Sequence, residues 1–393
     1  MKSDKRKRRK KGHIQAAHPG RRRKRRARRL ANRQLVRRKR RIGRSRGRRD
    51  LRSKGRIAVV YSDASEQEKR PEADAHLLQL AATAGAEAEA AIRGSGETVD
   101  KARLQQRWSE WLGQVVPGQV HPAVYESLMR AFVGGAHAGN PEPPDWLLLP
   151  ESRPASCILT AMNEERTIGS VLEQLVRMPL QEIIVVVNGS ADRTRDIAET
   201  FEGVKVLHYE KALGHDVGRT LGAKEAQGDL LLFMDADFAV PGELLLPFFL
   251  EIRNGADIVL NDISPFVDRF DRRDEVTIMK EFLNRVLDRN DLSVNSLTAV
   301  PHVMTRQAAW RIGLEKLAVP PLAQVLALEA GLRVGKGGHV NVVKQNRLRT
   351  SNTGAKNPVA EMIIGDHMEA LSQLIKLKGP RLAYADTVRQ RRR

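Results

Sequence analysis

Between residues 155 and 260 the sequence switches repeatedly between two hydrophobic periods, and this constrains the fold more than any other feature. Short apolar runs at 155–161, 182–187, 204–208, 229–234 and 257–260 have the length of buried strands. The segments between them, 164–177, 191–201, 218–227 and 242–254, carry apolar residues at helical spacing. Strands that alternate with helices are joined by right-handed crossovers, so the fold class is α/β, with a mainly parallel, Rossmann-like sheet flanked by helices. No repeat of solenoid length is present. In such a sheet ligands bind beyond the carboxyl ends of the strands, which directs attention to the residues that follow each run.

Each run ends in polar residues. The first gives Asn163-Glu164-Glu165, and acids there also suit the first turn of a helix by complementing its dipole. The second gives Asn188-Gly189-Ser190-Ala191-Asp192-Arg193-Thr194. Gly189 permits a tight turn, Ser190 can cap the next helix, and the amide of Asn188 can pair with the polar edge of a base. In the third loop His215, Arg219 and Gly222 share a helix face, with Arg219 able to reach a phosphate and Gly222 small enough for close packing on the sheet. The fourth run, Leu230 to Met234, leads straight into Asp235-Ala236-Asp237. Two carboxylates one residue apart at a strand end can offer oxygens to a hard divalent cation that grips a diphosphate. Singly, each loop is explained by capping and turns; the ordered series is not.

The series resembles the nucleotide-sugar glycosyltransferases of the GT-A fold, in particular the family-2-like group. The resemblance is carried by Asn163-Glu164-Glu165, the Asn188 to Thr194 turn, Gly214 to Gly222 and Asp235-Ala236-Asp237. It implies a glycosyltransferase that moves a sugar from a nucleoside-diphosphate sugar to an unknown acceptor with Mg²⁺ or Mn²⁺. Asn163, Glu165 and Asn188 would hold the nucleoside, Arg219 would approach the diphosphate, Asp235 would face ribose or metal, and Asp237 would ligate the metal. Asp235 and Asp237 are thus the expected catalytic pair. Two departures stand out. Val187 and Asn188 replace the two Asp that often precede the Gly-Ser turn, and residues 318–325 contain no carboxylate where inverting members carry a Glu-Asp pair, although Glu315 and Glu329 flank the segment. The stretch from Leu322 to Val340 is instead similar to the retaining glucosyl-3-phosphoglycerate synthase-like subgroup. That similarity makes His339 a second metal ligand and puts Thr298 and His302 on the acceptor side. It favours a retaining reaction in which the leaving diphosphate takes the acceptor proton.

The rest of the chain frames this unit. Of the 68 Lys and Arg, 29 lie in residues 1–56, with two of the 47 Asp and Glu, so a body of 39 basic and 45 acidic side chains carries a strongly basic tail. Such a tail cannot bury enough apolar surface to fold and is expected to be disordered. Its charge suits a polyanion, nucleic acid or anionic membrane, without sequence-specific recognition. The basic end at 389–393 can join it. Residues 57–61 read as a brief strand or a simple hydrophobic landing point, and a helical accessory region is expected over 57–135, in which Trp108, Trp111, Tyr125, Leu128 and Phe132 read as packing. Residues 136–154, dense in Gly and Pro, read as a linker; the glycosyltransferase domain is expected over 155–350, with a C-terminal helix and basic end over 351–393. A helix near 275–289 would cover the acceptor cleft or form a homodimer contact. One cysteine, Cys157, excludes a disulfide framework. The basic start has no apolar h-region behind it, so a cytoplasmic protein, peripheral to an anionic surface, is expected. A competing expectation is a nucleic-acid- or ribosome-associated protein whose α/β body is a degenerate sugar-nucleotide scaffold.

Overall fold

The computed structural model describes residues 71–342 apart from 268, and residues 357–386 apart from 383 and 385. The chain divides into two compact units, residues 1–66 and 67–393, and the described residues belong to the second. The basic tail, the brief strand at 57–61 and the basic end at 389–393 lie outside them.

Seven strands form one sheet: β1 (Ala155–Ala161), β2 (Glu182–Asn188), β3 (Val204–Tyr209), β4 (Leu230–Asp235), β5 (Ile258–Leu260), β6 (His302–Thr305) and β7 (Val334–Lys336). Their spatial order is β3-β2-β1-β4-β6-β5-β7. All pairings are parallel except those of β6, which runs antiparallel to both β4 and β5. The sheet is the α/β architecture expected. β6 and β7, of four and three residues, are not among the five apolar runs expected as strands.

Alternation along the strands builds two cores. Cys157 and Leu159 of β1, Val185 and Val187 of β2, and Leu230 and Leu232 of β4 face one side. Ile158, Ile184, Val186, Leu231 and Phe233 face the other. The first face is covered by α4 (Ile168–Leu175), α5 (Thr194–Ala198) and α7 (Leu246–Arg253). The second is covered by α9 (Arg306–Ile312) and α10 (Pro320–Glu329), with α6 (Val217–Glu225) lying against β1 and β2. Gly222 lets α6 approach closely, since a Cβ there would lie 2.4 Å from Ile158 Cγ2.

The segment before the sheet is not a separate body. Helices α1 (Ala75–Gly94), α2 (Lys101–Val115) and α3 (Pro122–Ala136) bury Trp108, Tyr125, Leu128 and Phe132 in the same core as the first face of the sheet. Residues 136–154 are correspondingly no free linker. Leu147, Leu148 and Leu149 are buried in that core, and the Leu147 amide donates to the Arg177 carbonyl at 3.0 Å. Tyr125 donates its hydroxyl to the Leu148 carbonyl at 2.6 Å and accepts from the Trp108 indole at 3.1 Å. Apolar Leu side chains embedded in a Gly/Pro-rich stretch fill space that the accessory helices leave open.

Two helices are shorter than their periodicity predicts. α4 starts at Ile168 rather than 164, and α5 has five residues rather than the eleven of 191–201. The residues withheld from both helices are used in loop-to-loop hydrogen bonds described below. At the C-terminus α11 (Pro358–Lys378) packs with α10 and with α8 (Glu275–Val286) around Leu283, Val325, Ala370 and Leu374. No helix among the described residues is long and apolar enough to cross a membrane.

Candidate active site

β1 is followed by β2 on one side and bordered by β4 on the other, so the chain changes direction across the sheet at β1. A crevice forms at such a switch point, beyond the carboxyl ends of the two strands. Thr160 of β1 and Asp235 of β4 are paired in register there, and Thr160 Oγ1 donates to Asp235 Oδ1 at 2.5 Å. This bond fixes one face of the Asp235 carboxylate. Asp237 lies two residues on, half-buried at the same edge.

The loops on the β1–β2 side are fastened to each other rather than left loose. Asn163 takes a left-handed conformation, φ 57°, which a short polar side chain tolerates. Its amide N–H donates to Ser190 Oγ at 3.0 Å, and its side-chain oxygen accepts from the Ala191 amide at 2.9 Å. The Glu164 amide donates to Thr194 Oγ1 at 2.7 Å and the Glu165 amide to Asp192 Oδ2 at 3.0 Å. Glu165 in turn accepts from the Arg193 amide at 3.3 Å. Burial opposes its charge, but hydrogen bonds from Thr194 and from backbone amides hold the Asp192 carboxyl below the usual carboxylate range. Asn163 and Glu165 are therefore wall-building residues, brought together at the crevice.

Asn188 fastens the third loop. Its side-chain nitrogen donates to the Gly214 carbonyl at 2.9 Å and its oxygen accepts from the Leu213 amide at 2.8 Å. Next to it Gly189, at φ 73°, lies where a Cβ would meet the Ala212 nitrogen at 2.6 Å. In this arrangement the Asn188 amide holds the chain at 212–214, and its base-reading edge is occupied by protein.

Arg219 is not at the crevice surface. It is 4% exposed, pairs with Asp216 at 3.0 Å, and donates to the Leu297 carbonyl at 2.8 Å and the Thr298 carbonyl at 3.4 Å. It ties the third loop to the segment at 296–298. Beside it a small cavity is walled by Phe233, Leu297, His302, Pro320 and Ala323. His302, at the start of β6, is buried with its ring stacked on Phe233 at 4.9 Å, and its Nδ1 faces the Ala299 carbonyl at 3.2 Å. Burial first, and then the nearby Arg219 charge, push its pKa down to about 3, so the ring is neutral. Thr298 keeps a buried hydroxyl with no hydrogen-bond partner.

The ends of β5 and β7 open on the same edge and contribute a group with no counterpart in the sequence reading, Asp262. It accepts from Asn295 Nδ2 at 2.8 Å and from the Ser264 amide at 3.0 Å, with Lys336 Nζ at 3.4 Å. Burial works against its charge, yet the bonds from Ser264 and Asn295 and the Lys336 ammonium hold the carboxyl below its ordinary value. Leu260-Asn261-Asp262 is one more apolar run ending in polar residues, which is the signal that marks it. His339 follows β7; its Nδ1 lies 3.1 Å from the Asp262 carbonyl and 3.9 Å from the Asp262 carboxylate. A carbonyl oxygen only accepts, so Nδ1 carries the proton and Nε2 keeps its lone pair, the tautomer a metal ligand requires. The His339 side chain is 57% exposed, so that lone pair is accessible.

Among the described residues no three His, Cys, Asp or Glu side chains converge as a ready-made metal cage. Asp235, Asp237 and His339 are all among the described residues and form no such group; the two carboxylates stand at the end of β4, and the His339 ring lies against Asp262.

Residues 156–310 match the family model "Glycosyl transferase family 2". The chain is 34% identical over 110 residues to the glucosyl-3-phosphoglycerate synthase of Mycolicibacterium smegmatis, covering 25% of this chain and 35% of that protein. It is 38% identical over 112 residues to the dolichol-phosphate mannosyltransferase of Pyrococcus furiosus, covering 27% and 32%. The chain thus matches about a third of the length of these curated relatives. A solved structure of the glucosyl-3-phosphoglycerate synthase from Mycobacterium tuberculosis, in complex with Mn²⁺, UDP and phosphoglyceric acid, aligns with TM-score 0.42 and 18% identity over 69% of this chain and 85% of that one. The strand order, the Asp235-Ala236-Asp237 turn and this match agree on one region, residues 156–310, which is similar to glycosyl transferase family 2.

Proposed function

We propose that the protein transfers a sugar from a nucleoside-diphosphate sugar to an acceptor, with Mg²⁺ or Mn²⁺, and with retention of anomeric configuration. The observation that carries this reading is the Asp235 carboxylate, held by Thr160 at the switch point of the sheet, with Asp237 beside it at the carboxyl edge. In this reading the walls built by Asn163, Glu165 and Asn188 shape the nucleoside crevice. Asp235 faces ribose or metal, and Asp237 and His339 hold the cation. The cation, once bound, stabilises the charge that develops on the leaving diphosphate. Arg219 acts as a positioning residue, since its guanidinium is committed to Asp216 and to the carbonyls of residues 297 and 298. Thr298 and His302 belong to the acceptor side through that same segment.

Retention is supported by residues 318–325, which hold no carboxylate to act as a general base. Gln324 there is buried, accepts from the Leu297 amide at 2.9 Å and donates to Asn284 at 2.6 Å, a structural use. The relatives named glucosyl-3-phosphoglycerate synthase make a phosphorylated acceptor the first to try.

The test is a thermal-shift screen against nucleoside diphosphates and their sugars, with and without Mn²⁺, repeated on Asp237→Ala. A ligand bound by the native state alone raises the midpoint according to its affinity. A rise that needs Mn²⁺ and disappears in Asp237→Ala supports the assignment, and the anomeric signal of the product then reads the stereochemistry. Undiminished response or turnover in Asp237→Ala would overturn it. Silence towards every nucleotide would return the chain to the scaffold reading.

A further inference from the structure

Helix α8 buries one face and leaves the other uncovered. Thr277, Lys280, Leu283, Asn284 and Val286 are buried, and Leu283 and Val286 meet the core shared with α10 and α11. On the far side Glu275, Ile278, Phe282 and Arg285 follow one another at steps of three, four and three residues, the spacing of a single stripe along a helix. All four are exposed, Ile278 at 40%, Phe282 at 45% and the Arg285 side chain at 58%. A surface helix normally turns polar residues outward, so two large apolar side chains one turn apart on that face call for a partner.

The order of residues along the stripe says which partner fits. It reads acid, apolar, apolar, base, and it is symmetric about residue 280: Ile278 and Phe282 lie two residues either side, Glu275 and Arg285 five. A two-fold axis at that level turns the helix onto a copy of itself in the antiparallel sense. Ile278 then meets Phe282 of the second copy, and Glu275 meets its Arg285, each pair occurring twice. Both charged ends are available for this. Glu275 is in no ion pair among the described residues, and Arg285 shares Glu281 with Arg273, which leaves its guanidinium donors to spare. An anionic lipid surface is a poorer match, because Glu275 and Glu281 would meet headgroups of their own sign. Residues 343–356 of the chain hold no acid to set against Arg285.

The stripe is about 15 Å long, too short to hold two chains by itself. Helix α11, packed beside α8, exposes Met368, Ile375 and Leu377, which offer further apolar area. On the buried face Asn284 donates to the carbonyls of Ser293 and Asn295 at 2.9 Å each. The segment that leads on to Thr298 therefore lies on the side of α8 opposite the stripe, which suits the stripe to joining copies rather than to covering a cleft. We propose that α8 is the centre of a two-fold interface between two copies of this chain, packed antiparallel to its counterpart, with Ile278 and Phe282 buried and Glu275 paired with Arg285 across the axis.

The experiment uses the full chain, treated with nuclease, in sedimentation velocity and in size-exclusion chromatography with light scattering over a concentration series. Wild type should show the mass of two chains. Phe282→Glu should keep the circular dichroism spectrum and raise the dissociation constant about a hundredfold or more, since two buried rings per dimer give way to charges. Glu275→Arg and Arg285→Glu should each weaken association about tenfold, because like charges then face each other twice. Mixed in equal amounts, these two variants should associate more tightly than either does alone, as every facing pair is again acid against base. That arm holds whether or not Phe282→Glu folds. The mass of one chain for wild type, a dimer that Phe282→Glu leaves intact, or a mixture no tighter than its components would each overturn the proposal. So would binding to phosphatidylserine vesicles that is lost in Phe282→Glu, which would assign the stripe to a lipid surface.

Discussion

At the scale of single residues, the site is built from short polar side chains whose backbone positions matter as much as their chemistry. Thr160 holds Asp235 through a hydrogen bond to a charged acceptor, an interaction of about 1.5–3 kcal/mol. Thr160→Val should therefore weaken binding of Mn²⁺ with a nucleoside diphosphate roughly tenfold while leaving the circular dichroism spectrum unchanged. His339→Ala should lower metal affinity without altering the midpoint of the metal-free protein, because the ring is mostly exposed; a titration with Mn²⁺ decides it. His302 governs acid stability. Its folded pKa of about 3 lies below the ordinary 6.5, so as pH falls through 6.5 the unfolded chain takes up a proton that the folded one refuses. Stability is lost progressively over that window, on the order of a few kcal/mol at its lower end, and His302→Gln should flatten the slope in urea titrations run between pH 7 and 4. Lys280 has the same sign in a higher pH window. Burial lowers its pKa from 10.5 to about 8, so the cost of its charge is carried below pH 8 and relieved as pH rises towards 10.5, and wild type should gain on Lys280→Met across that range.

Among the elements, the two shortened helices and the closely packed one define the crevice. α4 and α5 begin late because Asn163, Glu164, Glu165, Asp192 and Thr194 join their loops by direct hydrogen bonds. Polar residues with a local alternative to the helix take it when the partner loop is within reach. α6 lies against the sheet only because Gly222 and Gly218 lack side chains; a Cβ at Gly218 would meet Thr160 Cγ2 at 2.9 Å. Gly222→Val should overpack the contact with Ile158 and cost about 1–3 kcal/mol, measured as a lower denaturant midpoint with unchanged slope. Since α6 carries Asp216 at its N-terminus and Arg219 in its first turn, the same change should also disturb the segment at 296–298.

For the molecule as a whole, the accessory helices and the sheet are one folding unit. Tyr125 spans them, with Trp108 on one side and the Leu148 carbonyl on the other. Tyr125→Phe leaves a buried carbonyl and a buried indole N–H without their partner and should cost about 1–3 kcal/mol in thermal unfolding. A chain that starts at residue 154 would expose the core formed with α1, α2 and α3, and should be recovered as aggregate by size-exclusion chromatography rather than as a stable domain. A soluble, cooperatively melting fragment would contradict this description.

The sequence by itself determined the α/β class, the positions of β1 to β5 and the polar turn after each strand. Strand and helix periods, glycine turns and paired carboxylates are local signals that survive without knowledge of the fold. It also made Asp235, Asp237 and His339 candidates for one site, although His339 was reached through resemblance rather than spacing. Tertiary structure decided what those polar residues touch. Only in the folded chain does the Asn188 amide meet residues 213 and 214, Arg219 turn inward to Asp216, and Asp262 fall beside His339. Apart from the local Arg219–Asp216 pair, these contacts join residues 25 to 77 positions apart, and no periodicity records which of several polar neighbours a side chain will meet. The same holds for the Tyr125 hydroxyl, which meets the Trp108 indole and the Leu148 carbonyl, 17 and 23 positions away, only once the chain has folded.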